Sequence, residues 1–316
     1  MLKKNSPGFS PEMIPWGSLK HLFYSLVSEA VLFDAENCND ISHGFKRRSG
    51  LNEYKIFLQH GVIVSFIPGY VYSETTFDLV ICSNRQELKY LKTIYKYPGS
   101  CIALAGLARH DDLIKNRKDK RFIFVAPTWR KNLEKLSEAE FVRTEYFLRW
   151  NSLLSEINEF AKEKGLKVGF RLHYMFDRFH SVFTGWEDNA YRDTDSIHEM
   201  IRDCSILITD YSSVSIDAAL IRKPVLYYQF DYSDYRKYHQ SEGYFDYSRD
   251  GFGDVAVNED VLMDKLRELW TGDSFTERKE YWDRSGAFFE YHDMNNCQRN
   301  YDAVREYIGK YSPRPV

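Results

Sequence analysis

Short apolar runs, each closing on a polar residue or a glycine, recur along this chain and alternate with longer segments of helical periodicity. Runs of four or five apolar residues suit strands covered on both faces. Their alternation with helices is the sequence form of a parallel, doubly wound α/β sheet. The runs fall into two sets. Residues 31–35, 55–59, 79–83 and 101–105 are expected strands, with helices near 18–28 and 85–95. Residues 122–126, 167–172, 205–209 and 225–228 are expected strands of a second sheet, with helices near 146–164, 196–203, 213–221, 260–270 and 297–310. Between the sets lies Arg109, Asp111 and Asp112, then a charged run to Arg121, which reads as a linker. The expected domains are 1–112, 113–295 and a final helical segment, 296–316, returning toward the first. The first half offers only about one βα unit before the strand at 55–59, so that domain reads as shortened.

In the segment 146–164, Phe147, Trp150, Leu154, Ile157 and Phe160 recur at three- and four-residue spacing, while Glu156, Glu159, Lys162 and Glu163 face elsewhere. That stripe is core packing.

Ligands of parallel sheets bind beyond the carboxyl ends of the strands, so the residues following each run carry the candidate chemistry. His60-Gly61 places an imidazole able to accept a proton beside a glycine that permits close approach. Pro127-Thr128-Trp129-Arg130 offers a hydroxyl and a guanidinium for phosphate oxygens. In Arg171-Leu172-His173, continued strand alternation sends Arg171 and His173 to one side as a pair of cations suited to a pyrophosphate. The run at 206–209 breaks into Asp210-Tyr211-Ser212-Ser213. There free backbone N–H groups and two serine hydroxyls open a helix, and Asp210 orients the turn or a ligand hydroxyl. Asp231, with Tyr232 and Tyr235, is a candidate polyol or ribose contact. Each piece also has a plain structural reading: a loop histidine, a surface ion pair, a helix cap.

Other chemistries fit less well. The chain contains neither a G-x-x-x-x-G-K-[ST] phosphate loop nor a G-x-S-x-G elbow. Gly251-Phe252-Gly253-Asp254-Val255-Ala256 matches G-x-G-x-x-A but precedes an apolar run instead of following one, and reads as a loop. The nine histidines show no close metal-ligand spacing, so no bound metal is expected. A formal net charge of −3 generates no field that would gather nucleic acid. Cys38, Cys82, Cys101, Cys204 and Cys297 are odd in number and scattered, as buried thiols of a reducing compartment would be. With no leader pattern and no run of about 20 apolar residues, the expected location is cytoplasmic. Lys89, Lys92 and Lys96 beside Tyr90, Leu91, Ile94 and Tyr95 leave peripheral membrane contact open, although an ordinary solvated helix has the same pattern.

Taken in order, Gln59-His60-Gly61, Gly106-Leu107-Ala108-Arg109-His110-Asp111, Pro127-Thr128-Trp129-Arg130, Arg171-Leu172-His173, Thr209-Asp210-Tyr211-Ser212-Ser213 and residues 224–231 resemble the CDP-glycerol glycerophosphotransferase family, over about residues 18–305. The resemblance implies a GT-B-like architecture of two Rossmann-type domains facing across a cleft, the second holding the nucleotide. It implies transfer of a polyol phosphate from a CDP-activated donor to a lipid-linked or polymeric acceptor of teichoic-acid or capsular type, without a cofactor, at the inner face of the membrane. His60 and His173 are then the catalytic candidates, with Gly61, Arg109, Thr128, Arg130, Arg171, Asp210, Ser212, Ser213 and Asp231 as binding residues.

Departures exist. Where the family carries H-G-x-x-x-K, this chain has Ser65 at the lysine position. Tyr174 replaces the proline of R-x-H-P, and Ala105 and Ala108 replace residues of T-G-x-P-R. Two other readings use the same cleft: a nucleotide-sugar glycosyltransferase, and a non-catalytic nucleotide- or polymer-binding domain of a larger assembly.

Overall fold

The structure, a computed structural model, describes residues 12, 14–15, 17–34, 53–194, 196–271 and 278–313. Its first unit holds α1 (Leu19–Val27), β1 (Ala30–Phe33), β2 (Tyr54–Phe57), β3 (Leu79–Cys82), α2 (Arg85–Thr93) and β4 (Ile102–Leu104). The second holds α3 (His110–Lys115), β5 (Phe122–Ala126), α4 (Glu145–Glu163), β6 (Lys167–Phe170), α5 (Ile197–Asp203), β7 (Ile206–Thr209), α6 (Val214–Leu220), β8 (Val225–Tyr228), α7 (Tyr232–Tyr238), β9 (Gly253–Ala256) and α8 (Glu259–Thr271). Two further helices follow, α9 (Lys279–Phe288) and α10 (Asn296–Lys310).

Both sheets are parallel throughout, in the orders β1-β2-β3-β4 and β6-β5-β7-β8-β9. Strand alternation divides the first sheet between two cores. Phe57, Val80 and Cys82 pack with Leu91 and Tyr95 on one face, while Ile56, Leu79 and Ile81 pack with Tyr307 on the other. The second face is closed by α10, the last helix of the chain, through Tyr307 and the half-buried Val304 and Ile308. The second sheet is covered likewise, Ile123, Val125, Ile206 and Ile208 meeting α4 and α8 while Phe124, Leu207 and Tyr227 meet α5 and α6.

The α4 helix shows why these segments are helical. Thr144 caps it by accepting from the Phe147 N–H at 3.2 Å. Phe147, Trp150, Leu154, Ile157 and Phe160 are buried as the spacing requires, joined by Tyr146, Leu153 and Ala161.

The chain crosses between units twice, after β4 and again before α10. The Asp111 carboxylate ties the crossings together, accepting from the Asn296 N–H at 2.9 Å, the Asn296 side-chain amide at 2.8 Å and the Cys297 N–H at 2.8 Å.

Three expectations are corrected. The Gly251–Ala256 motif is no simple loop: Gly253–Ala256 is the edge strand β9, paired to β8 from Val225↔Gly253. A side chain on Gly253 would strike the Val225 carbonyl, so the residue that hides the strand from a hydropathy reading is the one that lets it pack. Residues 171 and 172 lie beyond their strand, which ends at Phe170. Among the cysteines, Cys82, Cys101 and Cys204 are buried but Cys297 is exposed, and Cys38 lies outside the described residues. The apolar residues considered for membrane contact are largely spent on the core: Leu91 and Tyr95 are buried and Ile94 is exposed. No helix among the described residues is long and apolar enough to cross a membrane.

Candidate active site

In the second sheet the chain passes from β5 to β6 on one side and later from β7 to β8 on the other. The carboxyl ends of β5 and β7 therefore flank a topological switch point, where parallel sheets leave a crevice. Thr128 and Trp129 follow β5 there, and Ser212 and Ser213 follow β7. A cleft of about 390 Å³ lies above them, roofed by residues 60–65 of the first unit.

His60 is exposed on this cleft, and its Nδ1 lies 2.7 Å from the Asp34 carbonyl oxygen. A carbonyl only accepts, so Nδ1 carries the proton and donates, and Nε2 keeps its lone pair. Gly61 approaches the second unit closely: a Cβ there would stand 2.5 Å from Ser213 Oγ and 3.2 Å from Ser213 Cβ. Ser213 opens α6 without a side-chain capping bond, whereas Ser212 Oγ accepts weakly from the Val214 N–H at 3.4 Å. The Ser213 hydroxyl is thus left to the cleft.

His173 lines the cleft from beyond β6, its Nδ1 accepting from the Met175 N–H at 3.3 Å, which places the proton on Nε2. Burial, with His60 nearby, pushes its pKa down to about 4. It is a neutral N–H donor at ordinary pH, not the cation that the sequence suggested. Arg171 does not join it: that residue lines a separate surface recess with Asp177 and His180, because the strand alternation that would have aligned the two stops at Phe170.

The Arg130 phosphate fork is also corrected. Arg130 is 3% exposed and spends its guanidinium inward. Nε bonds Asp231 at 2.7 Å, Nη2 bonds Asp210 at 2.8 Å and Nη1 bonds the Thr128 carbonyl at 2.7 Å, between the rings of Tyr146, Tyr211 and Tyr235. Asp210 in turn accepts from the Thr128 N–H at 2.9 Å and the Tyr211 N–H at 2.7 Å. Asp231 also takes the Tyr211 hydroxyl at 3.1 Å. Arg130, Asp210 and Asp231 form a buried brace that joins the turns after β5, β7 and β8, and none of them lines the cleft.

Arg109 does line it, with Nη2 2.7 Å from Asp217. Burial raises the Asp217 carboxyl, but Arg109 and His110 outweigh that and hold it below the usual carboxylate range. Two cleft-side donors have no hydrogen-bond partner among the described residues, Arg109 Nε and Thr128 Oγ1. Buried donors of this kind call for an acceptor from outside the chain.

Sequence reasoning missed three contributors. Trp129 stacks on His173 at 5.8 Å and meets the edge of His239 at 4.6 Å. His239 accepts from the Lys131 N–H at 3.1 Å, and burial together with Arg130 pushes its pKa down to about 3. His198 enters from α5, bonded to Asp112 at 2.8 Å. Trp129 stands inside the 127–130 motif, whereas His198 and His239 lie outside every motif noted and carried no local signal. Among the described residues no group of His, Cys, Asp and Glu side chains is arranged to hold a metal.

The family model described as CDP-glycerol:poly(glycerophosphate) glycerophosphotransferase matches residues 12–306. The minor teichoic acid biosynthesis protein GgaB of Bacillus subtilis (strain 168) is 32% identical across 97% of this chain and 36% of its own length. The teichoic acid poly(ribitol-phosphate) polymerase of Bacillus spizizenii is 27% identical across 48% of this chain and 23% of its own length. The chain thus spans about a third or less of these two relatives. The structure of the wall teichoic acid polymerase TagF is similar with a TM-score of 0.70 and 20% identity, across 98% of this chain and 80% of that one. That likeness shows the fold, two parallel-sheet units of GT-B type.

Proposed function

The chain belongs to the CDP-glycerol:poly(glycerophosphate) glycerophosphotransferase family, and on that premise we propose that its cleft transfers glycerol phosphate, or a related polyol phosphate, from a CDP-activated donor to a hydroxyl of a teichoic-acid-type or capsular polymer, releasing CMP. The observation that carries this reading is the opposition across one cleft of His60 Nε2, an acceptor, and a set of donors: Ser212, Ser213, Thr128 and the His173 Nε2–H from the other unit, and Arg109 from the crossing between the units.

The terminal hydroxyl of the acceptor attacks the phosphorus that bears the glycerol. His60 Nε2 takes the hydroxyl proton as the new P–O bond forms. The bond from that phosphorus to the bridging oxygen breaks, and its electron pair leaves on CMP. Negative charge grows on the leaving phosphate, and fixed hydroxyl and N–H donors aimed at it lower the barrier because they need no reorganisation during the reaction. The step as drawn uses no protein-bound metal or cofactor. A lipid-linked or polymeric acceptor puts the reaction in the cytoplasm, at the inner face of the membrane.

Incubation with CDP-glycerol, CDP-ribitol and common UDP-sugars, each with a polyol phosphate acceptor, tests the assignment through the nucleotide released. CMP release that depends on acceptor supports it. UDP release from a sugar donor would replace it with a glycosyltransferase, and binding without turnover across the panel would replace it with a binding domain.

A further inference from the structure

Glu87 lies in the first turn of α2, 0% exposed, with its own N–H capped by Asn84 at 2.8 Å. A charge taken out of water is costly unless it is strongly hydrogen-bonded. The Glu87 carboxyl meets that need with neutral donors from two loops. Oε1 accepts from the Ile63 N–H at 2.9 Å, and Oε2 accepts from the Ser83 N–H at 2.8 Å and the Ser83 hydroxyl at 3.1 Å. Ile63 closes the turn that carries His60 and Gly61, and Ser83 follows the last residue of β3. On the other flank of the turn, Gln59 is held in left-handed backbone (φ 64°) and donates through Nε2 to the Ile81 carbonyl at 2.5 Å.

We propose that Glu87 is a positioning residue for His60: its carboxylate clamps the turn 59–63 to the end of β3 and so sets where the imidazole stands relative to Ser213. This rests on the reading of His60 as the base.

The clamp is sensitive to protons. Burial pushes the Glu87 pKa up to about 7, against the bonds from Ser83 and Ile63 that favour the ionised form. The titratable groups facing it are Cys82 of β3, Tyr95 after α2 and Tyr244 from the segment between α7 and β9, and burial pushes all three upward, so none carries charge near neutrality. The raised value belongs to the buried carboxyl, so opening the turn to water makes Glu87 release its proton more readily, and a rise in pH from about 4.5 to about 7 loosens the clamp.

Glu87→Gln tests the clamp, because it keeps the shape while replacing one acceptor with an amide donor. With CDP-glycerol at about pH 8, kcat falls about 10-fold to 100-fold, the scale on which a small misplacement of a reacting group acts, while nucleotide affinity stays unchanged. In the wild-type protein, deuterium exchange of the peptide spanning residues 60–66, corrected for intrinsic rate, quickens as pH rises from about 4.5 to about 7, a readout that stands even if the variant does not fold. Wild-type kcat in Glu87→Gln with pH-indifferent exchange, alongside an inactive His60→Ala, overturns the positioning role alone. An active His60→Ala overturns the reading on which it rests.

Discussion

Gly61 and Ser213, from opposite units, approach so closely that a methyl group on the glycine would stand 2.5 Å from the serine hydroxyl oxygen. The contact joins the turn holding the candidate base to the turn holding the candidate phosphate donors. The cleft is therefore assembled by a surface with no room for one more carbon.

Gly61→Ala is expected to lower turnover, because the new methyl must displace Ser213 or part the units. Ser213→Gly in the same background removes the clash but also a donor, so the two changes will be non-additive. Steady-state rates for the two single variants and the double variant form the cycle that measures this, and strict additivity would contradict the contact.

His60→Ala should reduce turnover about 10²-fold to 10⁴-fold, the usual worth of a positioned base, with nucleotide binding nearly intact. Single-turnover release of CMP beside calorimetric binding of CDP-glycerol separates the two quantities.

Ser212→Ala and His173→Ala act on binding as well as rate. Each removes a hydrogen bond to a charged ligand, about 1.5–3 kcal/mol, or roughly a 10-fold to 100-fold rise in Kd. Unchanged affinity in both would take the donor phosphate out of this part of the cleft.

Arg130→Ala is predicted to fail through stability. It leaves Asp210 buried, and Asp231 half-buried, without their cation, a loss of about 3–5 kcal/mol for the broken Arg130–Asp210 pair. Thermal melting should show a large drop in Tm, whereas a variant that melts normally and merely binds nucleotide poorly would restore the phosphate-fork reading.

Acid should destabilise the cleft through its histidines. His173 and His239 are held near 4 and 3 against an ordinary value of 6.5, so the unfolded chain binds more protons in that window. Their contribution is complete above about pH 6.5 and is lost as pH falls toward 4. Glu87 runs the other way, its raised pKa removing stability as pH rises from about 4.5 to about 7. Melting curves across this range, repeated for His173→Gln, should show a shallower acid decline in the variant.

Much of this molecule is written in local pattern. The strands announce themselves because both faces of each sheet are covered, so runs such as Phe122–Ala126 and residues 206–208 are apolar without interruption. β9 escaped because packing against β8 demanded a glycine where a hydropathy reading demands a large residue. His60, Arg109, Thr128, His173, Ser212 and Ser213 could be placed together because they follow strand ends that converge. Asp210 orients its turn, as the sequence allowed, but Arg130 and Asp231 were misjudged for a reason that no linear reading overcomes. Whether a guanidinium faces water or a pair of buried carboxylates depends on three turns meeting in space. His239 and His198 come from segments whose nearness to the cleft is a tertiary matter, and Glu87 could be recognised only once Ile63 and Ser83 were seen to share it.

The paired crossings between the units, pinned at Asp111, bear on how the two units can move relative to one another. Two chain segments fastened side by side behave as a door hinge with two leaves, permitting swing about one line and resisting twist or slide. A swing about that line changes the separation of the turn at Gly61 from the turn at Ser213, the contact that closes the cleft.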